Sequence, residues 1–451
     1  MAQTATPASV SQSGNYAATI TFPDRYILEN VRQMNLRRSL TQPFYQDLKP
    51  VFGDEGAVQS SNTYPFIAIT DLSKGAKGDQ VTLDKLGRMN SPPIMGDVLV
   101  SGMSIAVDWQ RDAVKINLFN APEVNAGGLM SEQRSAHDQE KAAMIQSAAW
   151  NSDIEDNLAT IMLCGARGYD VSSGWQFPVE NDVNLPEMLV NPLLPPTLNR
   201  YLVANATNIQ GQSGVTSFQA ISSSNLLTLA FFDAASTSCQ NSPYPMKGVK
   251  MSDEKKGYAI GEGMTPTYLV GLTLEQYNSL RTQAIGTGEW NNFVALTGVR
   301  DSFFQHPLFN DMQTGRWRNM LFFVYGRPVT FPAGSTTTMY TDSTATTTGT
   351  ATAAVRIQRG FILGAEAAAI AFGNAKPRTS GRIAKSGSSS TIQKTPYFWH
   401  TEVLEGAVLM CYSKMMMGIK KIRFNYGGVP FDAGVTVFDS CQPLNTDFSP
   451  V

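Results

Sequence analysis

The feature that most constrains this chain is an apolar stripe running from Ser131 to Cys164. Met144, Ala148, Ile154, Leu158, Ile161 and Met162 recur at helical steps, with Ala143 and Trp150 beside them. The spacing predicts one continuous helix over 131–164, about 50 Å long at 1.5 Å per residue. Ser131 is placed to cap its start, Glu132 favours the positive N-terminal end, and Gly165 follows the last turn. Only one stripe is apolar. The helix is therefore expected to lie against a surface, with Met144, Ala148, Leu158 and Ile161 facing the protein. Asp153, Glu155 and Asp156 then read as a solvated face.

The segment before the helix follows a period of two. Phe66-Ile67-Ala68-Ile69, Gln80-Val81-Thr82-Leu83, Ser104 to Trp109 and Val114 to Leu118 read as strands. The link Lys74 to Asp79, containing Gly78 and Asp79, is turn-rich, and residues 84–96 form a polar tip around Ser91-Pro92-Pro93. This makes a long two-stranded excursion from about Gly78 to Asn117. An isolated hairpin is marginal in water, so a long one needs a surface to lie on. Residues 1–65 read as an arm broken by Pro23, Pro43 and Pro50, with no core of its own.

Downstream, Ser222 to Ala235 reads as a helix and residues 240–265 as loop. Thr267 to Val270 reads as a strand, Leu274 to Arg281 as a helix and Met320 to Val324 as a strand. Residues 335–352, rich in Thr, Ser and Gly, read as an exposed loop. The Ala-rich run Phe361 to Phe372 reads as a buried helix ending at Gly373. From Tyr397 onward the pattern returns to strands. Strands that flank helices at both ends indicate α+β architecture, not a doubly wound parallel sheet. The expected organisation is an arm (1–65), an extended loop with flanking strands (66–128), a helix-bearing segment (129–240), a central α+β lobe (241–394) and returning strands (395–451).

Catalytic patterns are missing: there is no H-E-x-x-H, Walker A or G-x-S-x-G. His137, His306 and His400 are far apart, and Cys164, Cys239, Cys411 and Cys441 form no C-x-x-C pair, which favours isolated thiols and no metal. A net charge of −2 gives no global field to attract nucleic acid, so such contacts must be local. The candidates are Arg32, Arg37 and Arg38 in the arm, and the stretch 376–394 with Arg382 and Lys385. The first residues lack the basic and apolar regions of a signal peptide, so export is not expected. No run reaches the roughly 18 apolar residues of a membrane span.

Six landmarks in order carry a family resemblance. They are Gly78-Asp79-Gln80-Val81-Thr82-Leu83; Gly102 to Asp108 with Asp112 to Ile116; and Tyr268-Leu269-Val270 with Leu280-Arg281 and Trp290. Pro307-Leu308-Phe309, Leu363 to Ala369, and Gly418 to Asn425 with Asp432 and Gly434-Val435 complete them. Together, over about 66–440, they resemble the major capsid family of short-tailed bacteriophages. The chain departs from the family pattern at His306, where an Asn usually precedes the Pro. The resemblance implies the Johnson fold: an N-terminal arm, an extended β-hairpin loop, a spine-helix peripheral domain and a central α+β axial domain. It implies self-assembly into pentamers and hexamers of an icosahedral head, formed in the host bacterial cytoplasm around double-stranded DNA. Portal and scaffolding proteins, and a cement protein, are the implied partners; no cofactor and no membrane are implied. Gly78, Asp79, Ser91, Pro92, Pro93 and Trp109 are then expected at inter-subunit contacts, and the five basic residues toward DNA. The rival readings are another self-assembling lattice protein and an enzyme with a spatially assembled site.

Overall fold

The computed structural model describes residues 64–442, with gaps. Residues 1–63, 70–71, 73–77, 87–93, 97–108, 135–138, 172–173, 205–213, 243, 254–257, 261–265, 290–314, 352–354, 375–390, 395–396, 405–407 and 443–451 lie outside the described residues. The chain enters through β1 (Phe66–Ile69), then β2 (Gln80–Leu86), β3 (Trp109–Lys115), β4 (Asn117–Asn120) and β5 (Val124–Gly128). Helices α1 (Leu129–Arg134), α2 (Gln139–Cys164) and α3 (Leu185–Met188) lead to β6 (Tyr201–Val203), α4 (Gly214–Gln219) and α5 (Leu229–Asn241). Next come β7 (Met251–Asp253), β8 (Tyr258–Ile260), β9 (Tyr268–Leu272) and α6 (Leu274–Gly286). Strands β10 (Gly315–Trp317), β11 (Met320–Val324), β12 (Val329–Phe331), β13 (Thr336–Tyr340) and β14 (Thr346–Thr350) precede β15 (Arg356–Leu363) and β16 (Ala368–Phe372). The end is all strand: β17 (Thr391–Lys394), β18 (Tyr397–Leu404), β19 (Val408–Lys421), β20 (Arg423–Tyr426), β21 (Val429–Asp432) and β22 (Val435–Gln442).

The described strands build two seven-stranded sheets. One runs β1-β16-β19-β18-β17, with β4 and β5 also on β19; the other runs β10-β11-β9-β15-β22-β6, with β12 on β15. Along β19, buried Cys411, Ser413, Met415 and Met417 alternate with half-buried Tyr412, Lys414 and Met416, as a one-sided sheet requires. Helix α2 covers the buried face, where Asn151 donates to Ser413 Oγ at 2.9 Å. The second sheet is covered on both faces. Tyr268, Val270 and Leu272 meet Phe231 and Phe232 of α5 and Leu280 of α6. Leu269, Phe361 and Val437 meet Leu158, Ile161 and Met162 of α2. Helix α6 opens on a reciprocal cap: Gln276 N donates to Thr273 Oγ1, and Thr273 N to Gln276 Oε1, both at 3.1 Å.

Several sequence expectations change. Residues 135–138 lie outside the described residues, so the continuity of the long helix falls there. Ser131 is not a cap, because α1 already begins at Leu129. Met144, 39% exposed, and Ala148 point outward, while Ala143 and Ser147 face the sheet. Residues 154–164 are buried on every side, so α2 is not one-sided along its length. Glu155 and Asp156 are buried, not solvated. Part of the polar side of the helix is satisfied internally, as where Tyr397 Oη donates to Glu155 at 3.1 Å, while Ser147 Oγ, Asn151 Oδ1 and Asn157 Oδ1 are buried without a hydrogen bond among the described residues.

The run Phe361 to Phe372 is two strands, not a helix. Gly364 to Ala367 turn between β15 and β16, with Glu366 at φ 58°. Alanine is the best helix former, but tertiary context overrides propensity, and here the strands gain partners on both sides: Ala368 pairs with Phe66 and with Lys421. Residues 335–351 form a hairpin and not a loop, with 341–348 exposed as expected. β13 and β14 pair from Thr336↔Thr350 to Tyr340↔Thr346, with Thr337, Met339 and Gly349 turned inward beside Phe218 of α4. The helix expected from Ser222 starts only at Leu229. Asn225 Oδ1 accepts from Ser222 N at 2.8 Å, a local bond that competes with helix, and Thr228 is the cap, accepting from Phe231 N at 3.1 Å. Residues 240–265 include the short β7–β8 hairpin. Sheet membership also cuts across contiguous segments: β16 joins β1, and β6 joins β22.

Candidate functional site

The expected excursion is present. β2 and β3 pair antiparallel from Gln80↔Lys115 to Leu86↔Trp109. Their hydrogen bonds within the pair cannot hold such a ribbon at a fixed angle, and its base is tied to the body separately. Ile116 N donates to Asp79 O at 2.8 Å, closing the root. Lys420 on β19 pairs with Asp112 and donates to Ala113 O at 3.1 Å. Asn425 N donates to Gln110 Oε1 at 2.7 Å. Asn191, buried, accepts from Lys115 N at 2.9 Å and donates to Lys115 O at 2.9 Å and Ile419 O at 3.1 Å. Gly418 is required where the strands cross: a Cβ there would sit 1.9 Å from Lys115 O. A cleft of about 410 Å³ lies beside this base, lined by Leu83, Asp112, Lys420 and Phe424 among others.

Of the expected contact residues, Gly78 (φ 137°) and Asp79 are exposed at the ribbon's root. Trp109 opens β3 opposite Leu86. Ser91, Pro92 and Pro93 lie outside the described residues, as do Arg32, Arg37, Arg38, Arg382 and Lys385. The far end is less polar than expected, because Ile94 is 45% exposed and Met95 80%.

Behind the ribbon lie two buried charge clusters that sequence reasoning missed. In the first, Arg359 on β15 faces Asp439 on β22 directly across the ladder. Its Nε and NH2 donate to both carboxylate oxygens at 2.8 and 2.9 Å, and Tyr201 Oη donates to Asp439 at 2.7 Å. Arg359 NH1 also donates to Cys164 O at 3.2 Å, satisfying a carbonyl at the end of α2. Burial alone would weaken the Arg359 charge, but Asp439 outweighs it and holds the guanidinium protonated. In the second, Asp432 takes Lys421 at 3.0 Å and Arg423 at 2.7 Å. Burial would raise Asp432, but the two cations hold it below its ordinary value. Burial pulls Lys421 down to about 8, against Asp432's opposite pull.

This gives a pH prediction. The unfolded Lys421 keeps its proton up to about its ordinary 10.5, and the folded one loses it from about 8. Between those values the unfolded state binds more protons, so this group's contribution to stability rises with pH. Denaturant unfolding of the native chain and Lys421→Met, compared across that window, should show the native chain gaining relative to the variant. A constant difference would contradict it.

His137 and His306 lie outside the described residues. His400 stacks between Phe398 and Tyr412, with ring centroids 6.0 and 6.3 Å away. The four cysteines are free and buried, and burial raises the Cys164 thiol to about 12. No cluster of metal-binding side chains occurs among the described residues. Among the described residues, no helix is long and apolar enough to cross a membrane.

A family model described as phage capsid protein matches residues 25–444. The chain belongs to the phage capsid protein family. It is a major capsid protein, a structural component of the virion that self-assembles into the capsid lattice. The fold agrees. The capsid of Ralstonia phage GP4 is similar at 21% identity and a TM-score of 0.61, covering 87% of this chain and 89% of that one. The capsid asymmetric unit of cyanophage Pam1 is similar at 13% identity and a TM-score of 0.53, over 86% and 90%. At these identities the likeness is one of fold, the tailed-phage Johnson fold. No individually curated protein matches the sequence. The Gly418 to Asn425 landmark gains a physical role in this capsid protein. It supplies Gly418, Lys420 and Asn425 to the ribbon's base, and Lys421 and Arg423 to Asp432.

Proposed function

We propose that the subunit forms pentamers and hexamers of an icosahedral head, with the β2–β3 ribbon clamping a neighbouring subunit. The observation that carries this is a ribbon tied firmly at its base yet ending in exposed Ile94 and Met95. A ribbon of two strands gains little from folding alone, so its apolar end is completed by contact. Contact of one subunit's ribbon with the next subunit's body is head-to-tail and closes by rotation into rings. Gly78 and Asp79 at the root, Trp109 farther out opposite Leu86, and Ser91-Pro92-Pro93 toward the tip belong to this contact. In this reading α2 with the first sheet forms the peripheral domain and the second sheet the axial domain. Deleting residues 86–96 should leave a folded subunit that no longer yields stable shells by electron microscopy. Shells of native yield and stability from that deletion would exclude the clamp.

The head encloses double-stranded DNA through few, sequence-independent phosphate contacts, because the net charge of −2 gives no general attraction. Arg32, Arg37 and Arg38 of the arm are the first candidates, and Arg382 and Lys385 the second. Neutralising the three arm arginines should leave empty shells intact and lower genome retention. Failure of shell formation would assign them to subunit contacts instead, and native retention would remove them from the DNA face. Assembly takes place in the host bacterial cytoplasm with portal and scaffolding proteins. The subunit has no catalytic role and needs no cofactor.

A further inference from the structure

We propose that Asn191, presented by a strained turn at Val190, is the latch that sets the angle at which the ribbon leaves the body. The inference rests on the clamp reading and names the residue that aims the clamp.

Two independent features meet at this point. The first is backbone strain. Val190 has φ 65°, and Asn191 N donates to Leu189 O at 2.7 Å, a hydrogen bond across one residue. Together they define a γ-turn of the rare, positive-φ kind, and a β-branched residue is poorly suited to it. Such strain persists only where the surroundings over-determine it. Leu189 on one side is buried in the main core, which fixes where the turn begins.

The second is what the turn presents. It places the Asn191 side chain, itself buried, in the gap between β3 and β19. One carboxamide there grips both backbone groups of Lys115 and, at the same time, the carbonyl of Ile419. A primary amide has one acceptor oxygen and two donor hydrogens, and all three functions are used here. Lys115 is the last residue of β3, the point where the ribbon becomes part of the sheet. Opposite it, Gly418 leaves no room for Lys115 to shift toward β19. Asn191 therefore prevents the strand from lifting, and Gly418 prevents it from sinking. The other polar side-chain ties, at Asp112 and Gln110, involve partly exposed groups that can follow a moving ribbon, and the packing of Val114, Val81 and Leu83 beside Ile422 is non-directional and sets no angle by itself. Asn191 is thus a positioning residue for assembly, because a small change of angle at Lys115 is magnified along the ribbon's length.

Hydrogen exchange on the full-length subunit tests this without any variant. The Lys115 amide should exchange with the slow amides of β15 and β22, and not with the faster amides of β2 and the rest of β3. In Asn191→Ala the β2 and β3 amides should exchange about tenfold faster or more, on the scale of several lost hydrogen bonds. β15 and β22 should stay unchanged, and the shells should become mixed in size or fail to close. A Lys115 amide as fast as the rest of the ribbon in the native chain would overturn the proposal. So would native ribbon exchange, or native shells, in Asn191→Ala. Loss of the clamp reading shows instead in the 86–96 deletion, which leaves Asn191 in place.

Discussion

Asp439→Ala should lose the folded subunit. The substitution leaves Arg359, with no exposed surface, without its directly paired carboxylate; the Cys164 carbonyl, the Met339 sulfur, the Phe331 ring and the more distant Glu180 replace it only in part. Removing one partner of a buried ion pair costs about 3–5 kcal/mol, a large part of the 5–15 kcal/mol that typically holds a domain together. Tyr201 loses its acceptor in the same step. The pair also fixes register, because Arg359 and Asp439 are direct partners on the two central strands. A slip of one residue would put the two charges on opposite faces of the sheet. The expected measurement is a collapse in soluble yield or a large fall in Tm. Adding Arg359→Met to Asp439→Ala should recover part of the loss, since no unpaired charge then remains. A Tm for Asp439→Ala within a few degrees of native would show that the pair is not what joins these strands.

Leu158→Asp should be comparably severe. Leu158 is 1% exposed, in the half of α2 enclosed by both sheets. A carboxylate there has no cation placed for it, and burying one unpaired costs several kcal/mol or forces it to take up a proton. Leu158→Ala, which only leaves a cavity, should cost about 2–5 kcal/mol. The two variants therefore separate charge burial from lost packing. Shells at native yield from Leu158→Asp would mean that this half of α2 is not core.

The elements with a clean period were legible in the sequence. The ribbon, β9, β11, α6 and the returning strands follow from alternation or helical steps, and the end of α2 follows from the glycine at 165, which takes up a φ of 65°. What was not legible depends on partners far along the chain. The Ala-rich run looked helical because alanine favours helix, but pairing with β1, β19 and β22 overrides that preference. Glu155 and Asp156 looked like surface charge because nothing local announces Tyr397, and nothing local pairs Asp439 with Arg359. Lys420 sat in a recognisable landmark, yet its role comes from Asp112, 308 residues away. Asn191 carries no sequence signal, since an Asn in a Pro- and Asn-rich stretch reads as loop.

The most direct test of this account is cryo-electron microscopy of particles formed by the full-length chain expressed in bacteria. The account predicts closed shells of pentamers and hexamers in which residues 80–115 of each subunit lie across the body of the next. Flat lattices, a stable monomer, or shells in which each ribbon folds back on its own subunit would contradict it.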